Sequence, residues 1–467
     1  MNFSNIGVEI KQKLIGVVGD NYCLTEKNSI EDYCHDETED LNFPPQLVVK
    51  PANTNEVSEI MKLASEYNIP VTPCGARTGL SGGALCVHGG IALSMERFNK
   101  IIQIDEDNLQ VIVQSGVITQ ELQEAVQEKG LYYAPDPSSR GTCFIGGNIA
   151  ENAGGPRAVK YGVTKDFVLN LEVVLPNGEI IETGANTLKN STGYNLTQLM
   201  VGSEGTLGIV TQATLKLIPC PKHNMLMLVP FTSAEKACEA VASIFKAGIT
   251  PSAMEFMERD AIQWTMDFTK ESPVKLKDNE QAHLLIEVDG NDTEVLFKEC
   301  EVIASAVEEL DCGEIMFAET EAQKDALWFL RRRVAEAVKA TSIYKEEDTV
   351  VPRYNLPKLL KGVKAIGNKY GFKSICYGHA GDGNLHVNII KGDMTDAAWN
   401  NELTKGIREL FELTVDLGGT LSGEHGIGYV QKQYMDIAFT KVELGLMKGI
   451  KNVFDPKEIL NPGKIFV

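Results

Sequence analysis

Three glycine-rich runs in the first half of the chain constrain its fold more than any other feature. The first, Cys74-Gly-Ala-Arg-Thr-Gly-Leu-Ser-Gly-Gly-Ala84, carries four glycines and directly follows a strand, helix, strand pattern: 46–50, a helix over 55–67 that Asn53 or Thr54 can cap, and 69–73. A loop of this kind can wrap a pyrophosphate in backbone N–H groups. It has neither the Gly-Lys-Ser/Thr of a Walker loop nor a clean Gly-x-Gly-x-x-Gly, and a plain tight turn is the alternative. The second run, 138–155, follows short strands at 91–94, 101–105 and 110–114 and a helix over 119–129, and its small residues allow close backbone approach to a flat ligand. The third, Val201-Gly-Ser-Glu-Gly-Thr-Leu-Gly-Ile-Val210, precedes a strand over 211–217 and the punctuation Pro219-Cys-Pro221.

A second constellation lies far downstream. Gly-His-Ala-Gly-Asp-Gly-Asn-Leu-His, residues 378–386, is followed after a helical pattern by Ser-Gly-Glu-His-Gly-Ile-Gly, 422–428, so three of the seven histidines fall in one stretch. The Gly-Asp-Gly between His379 and His386 excludes helix, so the chain reverses there and both imidazoles can face one point. Glu424 can add a carboxylate. Such a set suits Zn2+, Fe2+ or Mn2+ with coordination positions left open, as an active-site metal requires. His425 is then free to act as a base. The alternative is two turn histidines and an unrelated Glu-His pair.

Composition narrows the function classes. A length of 467 residues, 43% of them apolar, allows about three domains with full cores. The net charge of −20 argues against nucleic acid and anionic membrane partners, although it is compatible with a basic protein partner. No apolar stretch has the length of a membrane helix, and residues 1–19 lack a signal-peptide core, so the expected location is cytoplasmic. The ten cysteines form no Cys-x-x-Cys and suggest neither a disulfide framework nor an iron–sulfur cluster.

The first loop, Ile145-Gly-Gly-Asn148 to Gly155 and Val201 to Val210, in that order and spacing, resemble the FAD-binding domain of the vanillyl-alcohol oxidase and p-cresol methylhydroxylase superfamily. His379, His386, Glu424-His425 and the closing Asp455-Pro-Lys-Glu-Ile-Leu-Asn-Pro-Gly463 are similar to its D-2-hydroxy acid dehydrogenase branch. The resemblance implies an α+β chain: a docking helix and connection at 1–44, a two-part FAD-binding domain at 45–221, an antiparallel-sheet cap for substrate at 222–412, and a C-terminal helical segment at 413–467 that returns to the flavin site. It implies that Pro73, Gly75, Ala76, Arg77, Thr78 and Gly79 hold the FAD pyrophosphate. Ser138, Gly141, Thr142, Cys143, Gly146, Gly147, Ala153 and Gly155 would lie along the flavin, and Ile209 and Asn461 would complete the pocket. Members that bind flavin covalently carry His or Cys on the first loop or on a second one; the first loop here offers Arg77 instead, so dissociable FAD is expected.

In the cap, strands are expected at 225–230, 254–257 and 283–288, with helices over 233–247 and 294–309; Trp264 and Phe268 read as core. One long helix is expected over 319–340, carrying Leu327-Trp-Phe-Leu-Arg-Arg-Arg-Val334. The resemblance places Arg331 on the substrate carboxylate, where a bidentate fork makes physical sense; Arg332 and Arg333 read as a solvated face. Tyr377 and Asn384 are further substrate candidates. Hydroxyglutarate-type members carry a lysine where this chain has Glu346 and Glu347, which favours a short singly charged acid, D-lactate, then glycolate. The expected reaction is hydride transfer from D-lactate to FAD, with a metal on His379, His386 and Glu424 and with His425 as base. Lacking any cluster or haem motif, the chain needs an acceptor: an electron-transfer flavoprotein in the NAD- and ferredoxin-coupled lactate dehydrogenases it looks closest to, or else quinone or oxygen. Glycolate or D-2-hydroxyglutarate dehydrogenases and a metallohydrolase with phosphate-binding glycine loops are the alternative readings, along with a non-catalytic flavoprotein subunit.

Overall fold

The computed structural model describes residues 3–467 and divides into two compact units. Unit 1 comprises residues up to Gly154, Gly162–Cys220 and Glu424–Val467; unit 2 comprises Gly155–Tyr161 and Pro221–Gly423.

In unit 1 the hydrophobic pattern of 47–94 folds as a small α/β sheet. Leu47–Val49, Ile91–Ser94 and Val71–Cys74 run parallel, and Cys23–Leu24 adds antiparallel at the edge. Leu47 to Val49 are all buried, as strands covered on both faces must be. The connecting helix Thr54–Tyr67 begins at Asn53, whose side chain accepts from the Glu56 N–H, and ends on Asn68 in the left-handed region. Val57, Ile60, Met61 and Ala64 recur at helical spacing and pack on the sheet. The N-terminal helix Val8–Val18 buries Ile10, Leu14 and Val18 in the same core. A second, antiparallel sheet takes the order Ile101–Asp105, Gln110–Gln114, Ile209–Lys216, Val168–Val174, Ile180–Glu182.

Unit 2 is built on one seven-stranded antiparallel sheet, in the order Met316–Phe317, His223–Phe231, Ala282–Gly290, Ala253–Glu258, Lys373–Gly378, Asn384–Ile390, Tyr344–Val350. One sheet face carries Ala253, Met257, Ile375 and Tyr377 into a core with Leu327, Trp328, Leu330 and Val334. The chain is thus of the expected α+β class, with a parallel and an antiparallel sheet in unit 1 and an antiparallel sheet in unit 2.

Three local expectations are corrected. The helix foreseen over 319–340 is two, Glu321–Arg332 and Val334–Thr341, separated at Arg333 with φ −90° and ψ 0°. The second glycine run holds a short helix, Ile145–Glu151, not foreseen because glycines carry poor helix propensity that packing overrides. Phe268 is 43% exposed, whereas Trp264 packs against the core as expected.

Truncating Leu14 to Ala should cost about 2–5 kcal/mol, because the side chain is fully buried among large neighbours. Val8→Ala, on the exposed side of the same helix, should change stability by less than about 0.5 kcal/mol. Urea unfolding of the two variants measures the contrast.

Candidate active site

The candidate site of unit 2 grows from one face of four adjacent strands. Tyr377 pairs with His386, His386 with Asp348, and Glu346 with Asn388. Period-two alternation then puts Tyr377, Asn384, His386, Asn388, Glu346 and Asp348 on the same side as Glu255, in the strand Ala253–Glu258. His379 opens the turn between the two central strands, and Asn384 N–H donates back to its carbonyl at 3.2 Å. Gly383 closes that turn with φ +90°, and a Cβ there would lie 2.0 Å from the Val351 carbonyl, so no other residue fits. The two imidazoles meet edge to face with centroids 5.4 Å apart.

Each imidazole has a carboxylate on its Nδ1. Glu255 Oε1 and Oε2 both lie 2.9 Å from His379 Nδ1, and Glu346 Oε1 lies 3.4 Å from His386 Nδ1, with Asp348 at 3.7 Å. The Glu255 contact favours the proton on His379 Nδ1, the arrangement found in metal-ligating histidines, whereas Glu346 and Asp348 face His386 Nδ1 at ion-pair distance without a hydrogen bond to it. Burial would raise Glu255, but the charges of His379 and Arg331 outweigh it and hold the carboxyl below its usual range.

Glu255 also faces Arg331, whose Nη2 stands 2.7 Å from Oε2. Arg331 is 4% exposed, its guanidinium lies 5.0 Å from the Tyr377 ring centroid, and its Nε has no hydrogen-bond acceptor among the described residues. A buried guanidinium with an open N–H suits a planar anion. Trp328, one helical turn earlier, donates its indole N–H to Glu287 Oε2 at 3.0 Å, and Arg157 Nη2 holds the same oxygen at 3.2 Å. The Trp-to-Arg spacing therefore orients Arg331 through its helix. Arg333 pairs with Glu336 on the surface. Tyr377 donates to Glu346 at 3.2 Å; burial and that carboxylate's charge push its pKa well up, so the phenol keeps its proton.

Asn384 is placed differently from expectation in one respect. Its amide nitrogen is committed to Asp348 Oδ1 (2.6 Å) and the Thr349 carbonyl (3.1 Å), leaving only Oδ1 open. Asn388, fully buried on the same face with no hydrogen bond to either side-chain polar atom among the described residues, is a candidate the sequence reading missed. The signal was present: Asn384, His386 and Asn388 alternate with Leu385, Val387 and Ile389. Asp348 also accepts from Ser422 Oγ and Gly423 N–H, both at 2.8 Å, so it fixes the chain one residue before Glu424.

Unit 1 holds Glu424, His425 and the glycine runs. Gly75 and Gly147 approach closely, a Cβ on Gly75 lying 3.8 Å from the Gly147 Cα, while Gly79 and Gly147 each face open space. Gly146 instead packs on Ser115, 2.7 Å from a would-be Cβ, and so serves helix–strand contact. Pro73 sits in the strand Val71–Cys74, Arg77 has φ 61° and stacks 4.2 Å over the Tyr33 ring, and Ala76 and Thr78 flank it. Ser138, Gly141 and Thr142 form the turn before the buried Cys143, whose Sγ lies 3.2 Å from Thr119 Oγ1. Ala153 accepts from Thr164, Gly155 opens the segment belonging to unit 2, and Ile209 is a buried strand start. Asn461 donates to the Gly83 and Glu204 carbonyls at 3.0 and 2.8 Å, which ties the first run to the third.

Residues 45–184 match an FAD binding domain and residues 220–465 the C-terminal domain of FAD linked oxidases. A D-lactate dehydrogenase of Anaerostipes hadrus is 40% identical over 440 residues, covering 93% of this chain and 92% of that protein. The glycolate oxidase subunit GlcD of Bacillus subtilis is 40% identical over 462 residues, 98% and 97% of the two chains. A D-2-hydroxyglutarate dehydrogenase of Xanthomonas citri is 34% identical, covering 95% and 93%. Among solved structures, p-cresol methylhydroxylase superposes with a TM-score of 0.79 at 18% identity, covering 98% of this chain and 96% of that one. Among the described residues no helix is long and apolar enough to cross a membrane.

Arg331→Lys should keep a cation beside Glu255 yet lose the fork, weakening binding of a 2-hydroxy acid by about 10–100-fold in a substrate titration. Glu255→Gln should lower divalent-metal affinity about 10–100-fold, read by competition with a chelator.

The chain belongs to the FAD-linked oxidases and is a FAD-dependent hydroxy acid dehydrogenase.

Proposed function

We propose that the chain oxidises D-lactate to pyruvate and passes the electrons to an electron-transfer flavoprotein. The observation that carries the substrate class is Arg331, buried, with an open N–H and packed beside the His379–Glu255 pair. Its guanidinium takes the carboxylate, and Tyr377 and Asn388 offer neutral polar contacts. Glu346, directed at Tyr377 and His386, puts a negative charge where a second substrate carboxylate would be repelled. This favours lactate, with glycolate second, over hydroxyglutarate. The metallohydrolase reading leaves the FAD domain without a role.

His379, His386 and Glu424 are the proposed ligands of a divalent metal, which when bound would lower the pKa of the substrate hydroxyl by Lewis-acid action. The donor set fits, since two imidazoles and a carboxylate make a set that leaves coordination positions open, and Glu255 holds the His379 ring through its Nδ1. His425 takes the hydroxyl proton on its imidazole. FAD, when bound through the glycine runs, supplies the acceptor for the hydride from C2. Arg331 keeps the acid from rotating, so that the C2 hydrogen and the hydroxyl stay aligned with acceptor and base. D-lactate dehydrogenases of Anaerostipes hadrus and Archaeoglobus fulgidus are among the similar proteins, and the net charge of −20 offers a basic partner an electrostatic guide.

His425→Asn should slow anaerobic flavin reduction by D-lactate about 10²–10⁴-fold while FAD and metal content stay at wild-type levels. An unchanged rate would place the base elsewhere. Electron flow from lactate to a purified electron-transfer flavoprotein tests the acceptor; transfer to quinone alone would overturn it.

A further inference from the structure

Unit 1 contains a buried carboxylate pair that no step above uses. Glu204, in the third glycine run, is 6% exposed, and its two oxygens accept from the Ile427 N–H at 2.8 Å and the Gly428 N–H at 2.6 Å. Those are the second and third residues after His425. Gly426, between His425 and Ile427, has φ +79°, and a Cβ on it would lie 2.1 Å from Glu151 Oε2 and 3.1 Å from Glu204 Oε1. The two carboxyl groups therefore flank the backbone immediately beside His425. Glu151 ends the helix Ile145–Glu151, and the third run is tied to that helix by Gly202 N–H to Ile149 and Glu204 N–H to Ala150, each at 2.9 Å. The same motif is gripped at its other end: a Cβ on Gly154 would lie 2.8 Å from Glu424 Oε2. Burial and then the neighbouring Glu204 charge push Glu151 well above the usual carboxylate range; burial raises Glu204 as well, and the Ile427 and Gly428 N–H groups draw it back down.

We propose that Glu204, backed by Glu151, is a positioning residue for His425: its two charge-assisted hydrogen bonds set the Gly426–Gly428 backbone and thereby the direction of the imidazole. This rests on the reading of His425 as the base. A carboxylate is needed because both acceptors face N–H donors. The amide of Glu204→Gln would turn an NH2 toward one of them and push the loop away. A displacement on the order of 1 Å at a proton-transferring group is enough for a loss of about 10²-fold.

The test uses FAD-loaded wild type, E204Q, H425N and E204Q/H425N, mixed anaerobically with D-lactate, with flavin reduction followed in a single turnover. The expected result is that E204Q slows reduction about 10–100-fold while half-saturating lactate changes less than about twofold and FAD content is unchanged. The double variant should be no slower than H425N alone, because Glu204 acts through that imidazole. Wild-type speed in E204Q, with H425N slow, would overturn the positioning role and leave the base assignment standing. Multiplying penalties in the double variant would also overturn it. A normal rate in H425N would overturn the base assignment and this role with it. If E204Q fails to hold FAD, Glu204→Asp, which keeps both oxygens one methylene shorter, is read in the same way, and loss of FAD in both variants would make Glu204 a folding residue.

Discussion

The candidate site of unit 2 depends on one buried carboxylate. Glu255 is fully excluded from solvent in the middle of a fully buried strand, where an unpaired charge would be costly. It is met from two sides, by the His379 imidazole and by the Arg331 guanidinium. A single charge thus orients both a ring that can bind metal and a fork that can bind carboxylate. Replacing such a pair with apolar residues could leave the fold as stable, so its value lies in direction rather than in stability. The Arg157–Glu287–Trp328 contacts repeat the arrangement one turn away and fix the helix that carries Arg331.

Unit 1 works by a different principle, since its site is made mostly of backbone. Gly79 and Gly147 leave space, whereas Gly146, Gly154 and Gly426 are small because neighbouring atoms already occupy the volume a side chain would need. Glycine-rich runs therefore do two jobs here. Some leave open space, and others let the runs interlock with each other and with residues 424–428. Asn461 shows the second job from the side-chain direction, its amide donating to carbonyls of two runs at once.

Much of this was legible in the sequence. The helix Thr54–Tyr67, its Asn53 cap and the strands Ile91–Ser94, Ile101–Asp105 and Gln110–Gln114 follow from local periodicity and punctuation. The hairpin joining His379 to His386 was readable because Gly-Asp-Gly has few backbone alternatives. Glu255 and Glu204 were not singled out, because their roles depend on partners 76 and 124 residues away for Glu255 and over two hundred for Glu204. A glutamate flanked by apolar residues in Ala-Met-Glu-Phe-Met was nevertheless a usable signal, since a charge on a buried strand must have partners. The break at Arg333 has no breaker residue to announce it; tertiary packing overrides the helical pattern there.

The account stands most directly on which acid gives electrons to the flavin. Purified protein, made anaerobic, is given D-lactate, L-lactate, glycolate and D-2-hydroxyglutarate separately while the visible flavin band is followed. Rapid bleaching by D-lactate, slower bleaching by glycolate, and little with the L isomer or the dicarboxylate is the result predicted from Arg331 and Glu346, which both meet Tyr377. Fastest bleaching by D-2-hydroxyglutarate would contradict it, because a second carboxylate would then be welcomed where the structure places a negative charge.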